Sequence, residues 1–172
     1  KTQVLCMDIH NFFPSININQ VFEVFHCVGY TSDVAQALAQ LCTHNAILPQ
    51  GAPTSPTLAN IIFSPIDQQI LNAISTKEIT YTRYADDLIF SSSHELDFLI
   101  PLVSEIISTN GFEINSNKTH LMKNPYRKMI TGLIVTNTVK IPKYYKRKFN
   151  QELFYCEKYG VASHLKNCKT HK

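Results

Sequence analysis

Two adjacent carboxylates, Asp86 and Asp87, sit between strand-like runs that read as the arms of a hairpin, and this constrains the chain more than any other feature. The flanks, residues 79–83 and 88–91, carry the β-branched, apolar and aromatic side chains of strands, so the acids fall at or beside a tight turn. Two carboxylates about 4 Å apart repel by roughly 4 kcal/mol at an effective dielectric near 20, so a fold that gathers them calls for a cation. A third acid, Asp8, ends another apolar strand, Val4-Leu5-Cys6-Met7, and is followed by Ile9 and then Phe12-Phe13-Pro14-Ser15. With the two strands side by side, Asp8, Asp86 and Asp87 converge on an oxygen-rich site of the kind Mg2+ prefers, which suits phosphoryl transfer. Paired Asp residues at a turn are more often solvated turn formers. A third element tips the balance here. Between the acids lies Leu48-Pro49-Gln50-Gly51-Ala52-Pro53-Thr54-Ser55-Pro56, a Gly/Pro-punctuated loop leading into a helix marked by Ser55 and Pro56.

In chain order, Met7-Asp8-Ile9-His10-Asn11-Phe12-Phe13-Pro14-Ser15-Ile16, residues 48–60, Tyr81-Thr82-Arg83-Tyr84-Ala85-Asp86-Asp87, residues 111–118 and Thr131-Gly132-Leu133 resemble the motifs of reverse transcriptases. Each is weak alone, but several in one order are jointly specific, and together they cover about residues 2–145. Within that family the chain is most similar to bacterial retron-type RNA-directed DNA polymerases, through residues 50–56 and Ile130-Thr131-Gly132-Leu133-Ile134-Val135. Ile130 departs mildly from the Val usual in those enzymes. The resemblance implies a nucleotidyltransferase that uses two Mg2+ ions, replaceable by Mn2+, to join a dNTP to a primer 3'-hydroxyl. Its implied partners are an RNA template, a DNA or RNA primer, dNTP and, as a further candidate, a structured non-coding RNA, with no membrane and a cytoplasmic location.

The resemblance also distributes roles. Asp8 and Asp86 are the expected direct metal ligands, joined by the backbone carbonyl of Ile9. Asp87 is a supporting ligand, because successive strand side chains point opposite ways unless the turn re-aims them. Phe13 stands where related enzymes place the aromatic ring beneath the nucleotide sugar, whose 2'-hydroxyl it excludes; Phe12 is the core member of the pair. Gln50, through its amide, and Gly51, through its missing side chain, approach nucleotide and template. Lys118 matches a lysine near the departing pyrophosphate. Tyr84 is assigned to the nucleic acid, and Thr131, Gly132 and Leu133 to a turn supporting the primer end. Arg83 either contacts nucleic acid or pairs with a nearby acid.

Charge is unevenly distributed. Net charge is +3 over 172 residues, but residues 140–172 hold nine Lys/Arg against two Glu, a local +7, leaving −4 on the rest. Lys143-Tyr144-Tyr145-Lys146-Arg147-Lys148 interleaves aromatics with cations as backbone-tracking surfaces do, so Lys143, Lys146, Arg147 and Lys148 are candidate nucleic-acid contacts. Five scattered cysteines without a C-x-x-C pair read as reduced thiols. His164, Cys168 and His171 have loosely zinc-like spacing but lack a paired partner, and read as a polar end.

The fold class expected is α+β: a polymerase palm, with a ferredoxin-like split βαβ antiparallel sheet packed against helices, then a C-terminal hairpin and helix. Strands are expected over residues 2–8, 79–83, 88–91 and 112–114, and helices over about 17–28, 31–43, 95–109 and 143–159. A long helix from Ser55 should bend or break at Pro65. A last hairpin should join residues 129–135 to 139–141 around Asn137. Residues 1–142 are assigned to the palm, including fingers-side helices at about 17–53, and residues 143–172 to the start of a basic thumb or connection. Upstream fingers and most of the thumb would then lie outside the chain, and such a piece should fold but be nearly inactive alone. Two alternatives stand beside this reading: a reverse-transcriptase-related phage-defence polymerase using little or no template, and a palm that binds nucleic acid without chemistry. The intact acids argue against the second. Phe13, and Ala85 before the paired acids, disfavour an RNA-dependent RNA polymerase, which usually has a polar or small residue and a Gly there.

Overall fold

The computed structural model describes residues 3–123, 128–136 and 138–169. The chain divides into two compact units, residues 1–124 and 125–172.

The first unit is built on a four-stranded antiparallel sheet. β1 (Gln3–Asp8) lies between β3 (Asp87–Ser92) and β4 (His120–Met122), and β2 (Ile79–Tyr84) pairs with β3, giving the order β2-β3-β1-β4. Side chains alternate across a strand, so Leu5 and Met7 share a face with their ladder partners Phe90 and Leu88, all four fully buried. That face packs against α3 (Ser55–Ile74) and α4 (Leu99–Thr109), through Phe63, Ile66 and Ile70 of the first and Leu99, Val103 and Ile107 of the second. The opposite face carries Cys6, Asp8 and Asp87. Two further helices, α1 (Ile18–Val28) and α2 (Ser32–Cys42), precede the 48–54 loop. Asn17 caps α1 by accepting from the N–H groups of Asn19 and Gln20 at 3.0 and 3.1 Å, and the Gln20 side chain accepts the Asn17 N–H at 2.9 Å.

Several expectations need correction. Pro65 lies inside α3, which continues through it to Ile74. α4 starts at Leu99 rather than near residue 95, which puts Pro101 in its first turn, where a missing N–H costs no hydrogen bond. Residues 112–114 do not form a strand. They contribute only the Ile9–Ile114 bridge, and the edge strand beside β1 is β4.

In the second unit, β5 (Lys128–Ile130), β6 (Leu133–Val135) and β7 (Val139–Lys140) form a three-stranded antiparallel sheet in that order. Residues 129–135, expected as one arm of a hairpin but with a turn at Thr131-Gly132-Leu133 implied by the resemblance, are themselves a hairpin. Thr131 and Gly132 turn it with φ of 45° and 80°, the two left-handed positions that a two-residue type I' turn requires. Asn137 lies outside the described residues. α5 (Lys143–Tyr159) follows, and residues 161–169 form α6 (Val161–Lys169) where a polar end was expected. His164 of α6 contacts the Glu152 carboxylate and lies near the Tyr155 ring, so side chains across the two helices support the last one.

Candidate active site

The β2–β3 hairpin is closed by two residues, Ala85 and Asp86, with Tyr84 opposite Asp87. Ala85 adopts φ 52°, a left-handed conformation costly for a residue with a Cβ. β1 pairs with β3 so that Asp8 is directly opposite Asp87, which puts both carboxylates on the face away from the helices. Tyr84, 75% exposed, shares that face. Past Asp8 the chain stays paired: the Ile9 N–H donates to the Asp86 carbonyl at 3.0 Å, the His10 N–H to the Glu113 carbonyl at 2.7 Å, and the Asn115 N–H to the Asp8 carbonyl at 2.8 Å. This clasp delivers Lys118, one 3-10 turn further on, to the site.

The Lys118 ammonium donates to Asp8 Oδ2 at 3.1 Å, and Asp8 itself is buried. That hydrogen bond and the adjoining charge hold the Lys118 ammonium above its ordinary pKa, so it is a cation at neutral pH. The Asp87 carboxyl is also raised, which for an acid disfavours the charged form. Burial raises its pKa first, then the charges of Asp86 and Asp8, while Lys118 partly offsets them. Behind it the Cys6 thiol is raised by burial and by the Asp87 charge.

A cleft of about 390 Å³ opens over this cluster, lined by Asp8, Asp86, Phe13, Gln50 and Lys118, with His10, Asn11 and Asn115 also on its wall. Six predicted site residues, Ile9 included, thus meet around one cavity. Phe13 stands on the wall with its ring edge-to-face on Phe12 at 5.4 Å, whereas Phe12 is 3% exposed and packs on Phe63 and Phe112. Gln50 is held by its loop: the buried Ser55 hydroxyl donates to the Pro49 carbonyl at 2.6 Å, tying the loop to the start of α3. Gly51 adopts φ 92°, and a Cβ there would point into open space. Its backbone therefore stays accessible while only glycine fits without strain.

Not every expectation converges. Asp87 faces Asp8 across the ladder but does not line the cleft. Arg83 turns inward and pairs with Asp67, Nη2 to Oδ2 at 2.7 Å, so of its two expected roles the acid pair is the one found. Thr131, Gly132, Leu133, Lys143, Lys146, Arg147 and Lys148 belong to the second unit. His10, Asn11 and Asn115 went unassigned in the sequence. Each lies inside a quoted motif, and only the bridge between residues 9 and 114 reveals that those motifs meet.

Residues 1–149 match the family model described as reverse transcriptase (RNA-dependent DNA polymerase). The chain belongs to the reverse transcriptase family. Among curated relatives it is 34% identical to the retron Ec86 reverse transcriptase of Escherichia coli, over 95% of this chain and 52% of that protein. It is 31% identical to the retron Se72 reverse transcriptase of Salmonella heidelberg, over 94% and 45%. The chain thus spans about half the length of the curated relatives it matches. Among solved structures, apo telomerase from Candida tropicalis, truncated of its C-terminal domain, superposes with a TM-score of 0.60 at 16% identity, over 81% of this chain and 35% of that one. That likeness concerns the fold alone, a mixed helix and antiparallel-sheet arrangement consistent with a polymerase palm.

The family generally uses divalent cations, and the donor chemistry fits them. Asp8 and Asp86 offer hard oxygens on an open cleft, and Asp87 faces Asp8 across the ladder, so three carboxylates gather around Lys118. Among the described residues no three His, Cys, Asp or Glu side chains form a ready-made cage. Mg2+ sites completed by substrate phosphates need none. Among the described residues no helix is long and apolar enough to cross a membrane.

Proposed function

We propose that this chain carries the catalytic palm of a retron-type RNA-directed DNA polymerase. The observation that supports it most is the meeting of Asp8, Asp86, Phe13, Gln50 and Lys118 around one cleft in a chain of this family. The strand order β2-β3-β1-β4 is that of a ferredoxin-like split βαβ sheet, which supports a palm reading of the first unit. The palm is proposed to run over residues 1–142, fingers-side helices at about 17–53 included. Residues 143–172 would begin a basic thumb or connection.

In this reading Asp8 and Asp86, with the Ile9 carbonyl, hold the divalent ions, and Asp87 tunes their charge from the adjoining strand. When bound, such ions acidify a primer 3'-hydroxyl and neutralise charge on the transferring phosphoryl group. The rest is done by the chain's own side chains. Phe13 packs beneath the sugar and denies room to a 2'-hydroxyl. Gln50 and the open backbone at Gly51 orient nucleotide and template. Lys118 exchanges the Asp8 carboxylate for the departing pyrophosphate, to which its ammonium can give a proton. Tyr84 is assigned to nucleic acid. In the second unit, taken by itself, the Thr131-Gly132-Leu133 turn is assigned to primer support and Lys143, Lys146, Arg147 and Lys148 to the phosphate backbone. RNA template, DNA or RNA primer, dNTP and a structured non-coding RNA are the proposed partners.

The test is primer extension on an RNA template by the full-length protein with Mg2+. Asp8→Asn and Asp86→Asn should each reduce single-nucleotide addition by roughly 100- to 1,000-fold, the order seen when one essential electrostatic group is removed. Near-normal extension by either variant would overturn the metal assignment.

A further inference from the structure

Arg83 is a charged residue on the buried face of β2, and each of its nitrogens is engaged. Nε donates to Asp67 Oδ1 at 2.9 Å and Nη2 to Asp67 Oδ2 at 2.7 Å, a two-pronged pair. Nη1 donates to Asn60 Oδ1 at 2.9 Å and to the backbone carbonyl of Ala85 at 3.1 Å. The Tyr81 hydroxyl donates to Asp67 Oδ1 at 2.6 Å, and the guanidinium lies over the Phe63 ring, 4.6 Å from its centroid. The Arg83 side chain is only 8% exposed.

This network ends on the residue before Asp86. Ala85 holds a positive φ that an alanine keeps only where its surroundings impose it. Just past β1 the Ile9 N–H grips the Asp86 carbonyl; on the other flank the Arg83 guanidinium, held by Asp67 and Asn60 of α3, grips the Ala85 carbonyl. The two contacts fix consecutive peptide units of the turn from opposite flanks. Resting on the metal reading above, we propose that Arg83, clamped by Asp67 and Asn60, is a positioning residue that fixes the Ala85-Asp86 turn so that the Asp86 carboxylate stands beside Asp8 for a divalent ion.

Three variants separate this from simple support of the fold. Arg83→Lys keeps a charge against Asp67 but loses the planar fork that also reaches Ala85. Asn60→Ala removes one partner of Nη1 without disturbing the Arg83–Asp67 pair. Tyr81→Phe removes a hydrogen bond to Asp67 and leaves the grip on Ala85. Mn2+ binding to the full-length protein would be followed by the electron paramagnetic resonance of free Mn2+, with melting temperatures recorded in parallel. Arg83→Lys should bind Mn2+ about 10-fold or more weakly, as expected for a residue orienting a metal ligand, and Asn60→Ala a few-fold more weakly. Tyr81→Phe should melt lower yet bind Mn2+ as the parent does. In extension assays Arg83→Lys should need more Mn2+ but recover much of its rate at saturating metal, with KM for dNTP unchanged. Parent-like Mn2+ binding by Arg83→Lys, or by Asn60→Ala if Arg83→Lys does not fold, would overturn the proposal. So would equal weakening by Tyr81→Phe. Asp86→Asn is the arm that tests the underlying reading: if it leaves Mn2+ binding intact, the metal assignment fails, whatever Arg83 does.

Discussion

Replacing Asp87 by Asn should make the protein more stable in the absence of divalent ions. The register sets Asp87 directly opposite Asp8, with Asp86 adjoining in sequence, and the Lys118 ammonium lies beside them, 3.1 Å from Asp8 Oδ2. Opposed residues on an antiparallel ladder are about 5 Å apart at Cα, a spacing at which two charges repel by some 3 kcal/mol at an effective dielectric of 20. Asp87 is only partly buried, so solvent screening and Lys118 reduce the net penalty to about 1 kcal/mol. The sign follows from the raised carboxyl. Between its ordinary pKa and its raised one, the folded protein binds a proton that the unfolded chain has released. The stability associated with Asp87 is therefore full at acid pH and is lost as pH rises through the raised value. At pH 7 the whole penalty is present, and Asp87→Asn should remove it, raising the melting temperature in EDTA by about 2–4 °C. The gain should shrink as pH falls through the raised value toward the ordinary carboxylate range, and as millimolar Mg2+ neutralises the cluster in the parent. Melting curves followed by circular dichroism from pH 3.5 to 7, with and without Mg2+, measure all three. An unchanged or lower melting temperature at pH 7 in EDTA, or a gain that persists in acid, would refute the reasoning.

Phe13→Val should raise ribonucleotide use relative to deoxynucleotide use by roughly 10- to 100-fold, the discrimination available to one pocket contact, measured by single-nucleotide extension kinetics. Unchanged selectivity would return Phe13 to a packing role on Phe12. Phe63→Ala should cost about 3–5 kcal/mol and lower the melting temperature by roughly 10 °C, because a fully buried ring touching Phe12, Phe112 and Arg83 leaves a cavity that its neighbours cannot fill. A loss below 1 kcal/mol in denaturant titration would show that this part of the core can close.

The acid-bearing hairpin was legible because a two-residue turn sets its own register, so local pattern suffices. Asp8 was legible as a third acid, but its ladder partner was not, since the β1–β3 register depends on which faces are buried by helices far along the chain. The edge strand was misread for a related reason. Phe112-Glu113-Ile114 alternates as a strand does, yet Phe112 is drawn into the aromatic cluster with Phe12 and Phe63, and the ladder is completed by His120-Leu121-Met122, whose pattern is weaker. Alternation reports that a segment suits a sheet and leaves its neighbour unspecified.

The role of Arg83 was open in the sequence, although the information needed to narrow it was present. In β2, Ile79, Tyr81 and Arg83 share one face, and the first two are apolar or aromatic, so that face is the buried one. A cation there needs a counter-charge, because an unpaired buried charge costs several kcal/mol. The helix that covers the sheet, α3, contains a single acid, Asp67, and Asn60, Phe63 and Asp67 follow the i, i+3, i+7 spacing of one helical face. Strand parity, the cost of an unpaired charge and helical periodicity together select Asp67. What they could not supply is the last contact, from the guanidinium to the Ala85 carbonyl, because it depends on the backbone path of the turn. That contact links the buried ion pair to the acid beside it, so cutting the pair is expected to loosen the Ala85-Asp86 turn while α3 stays packed through Phe63, Ile66 and Ile70.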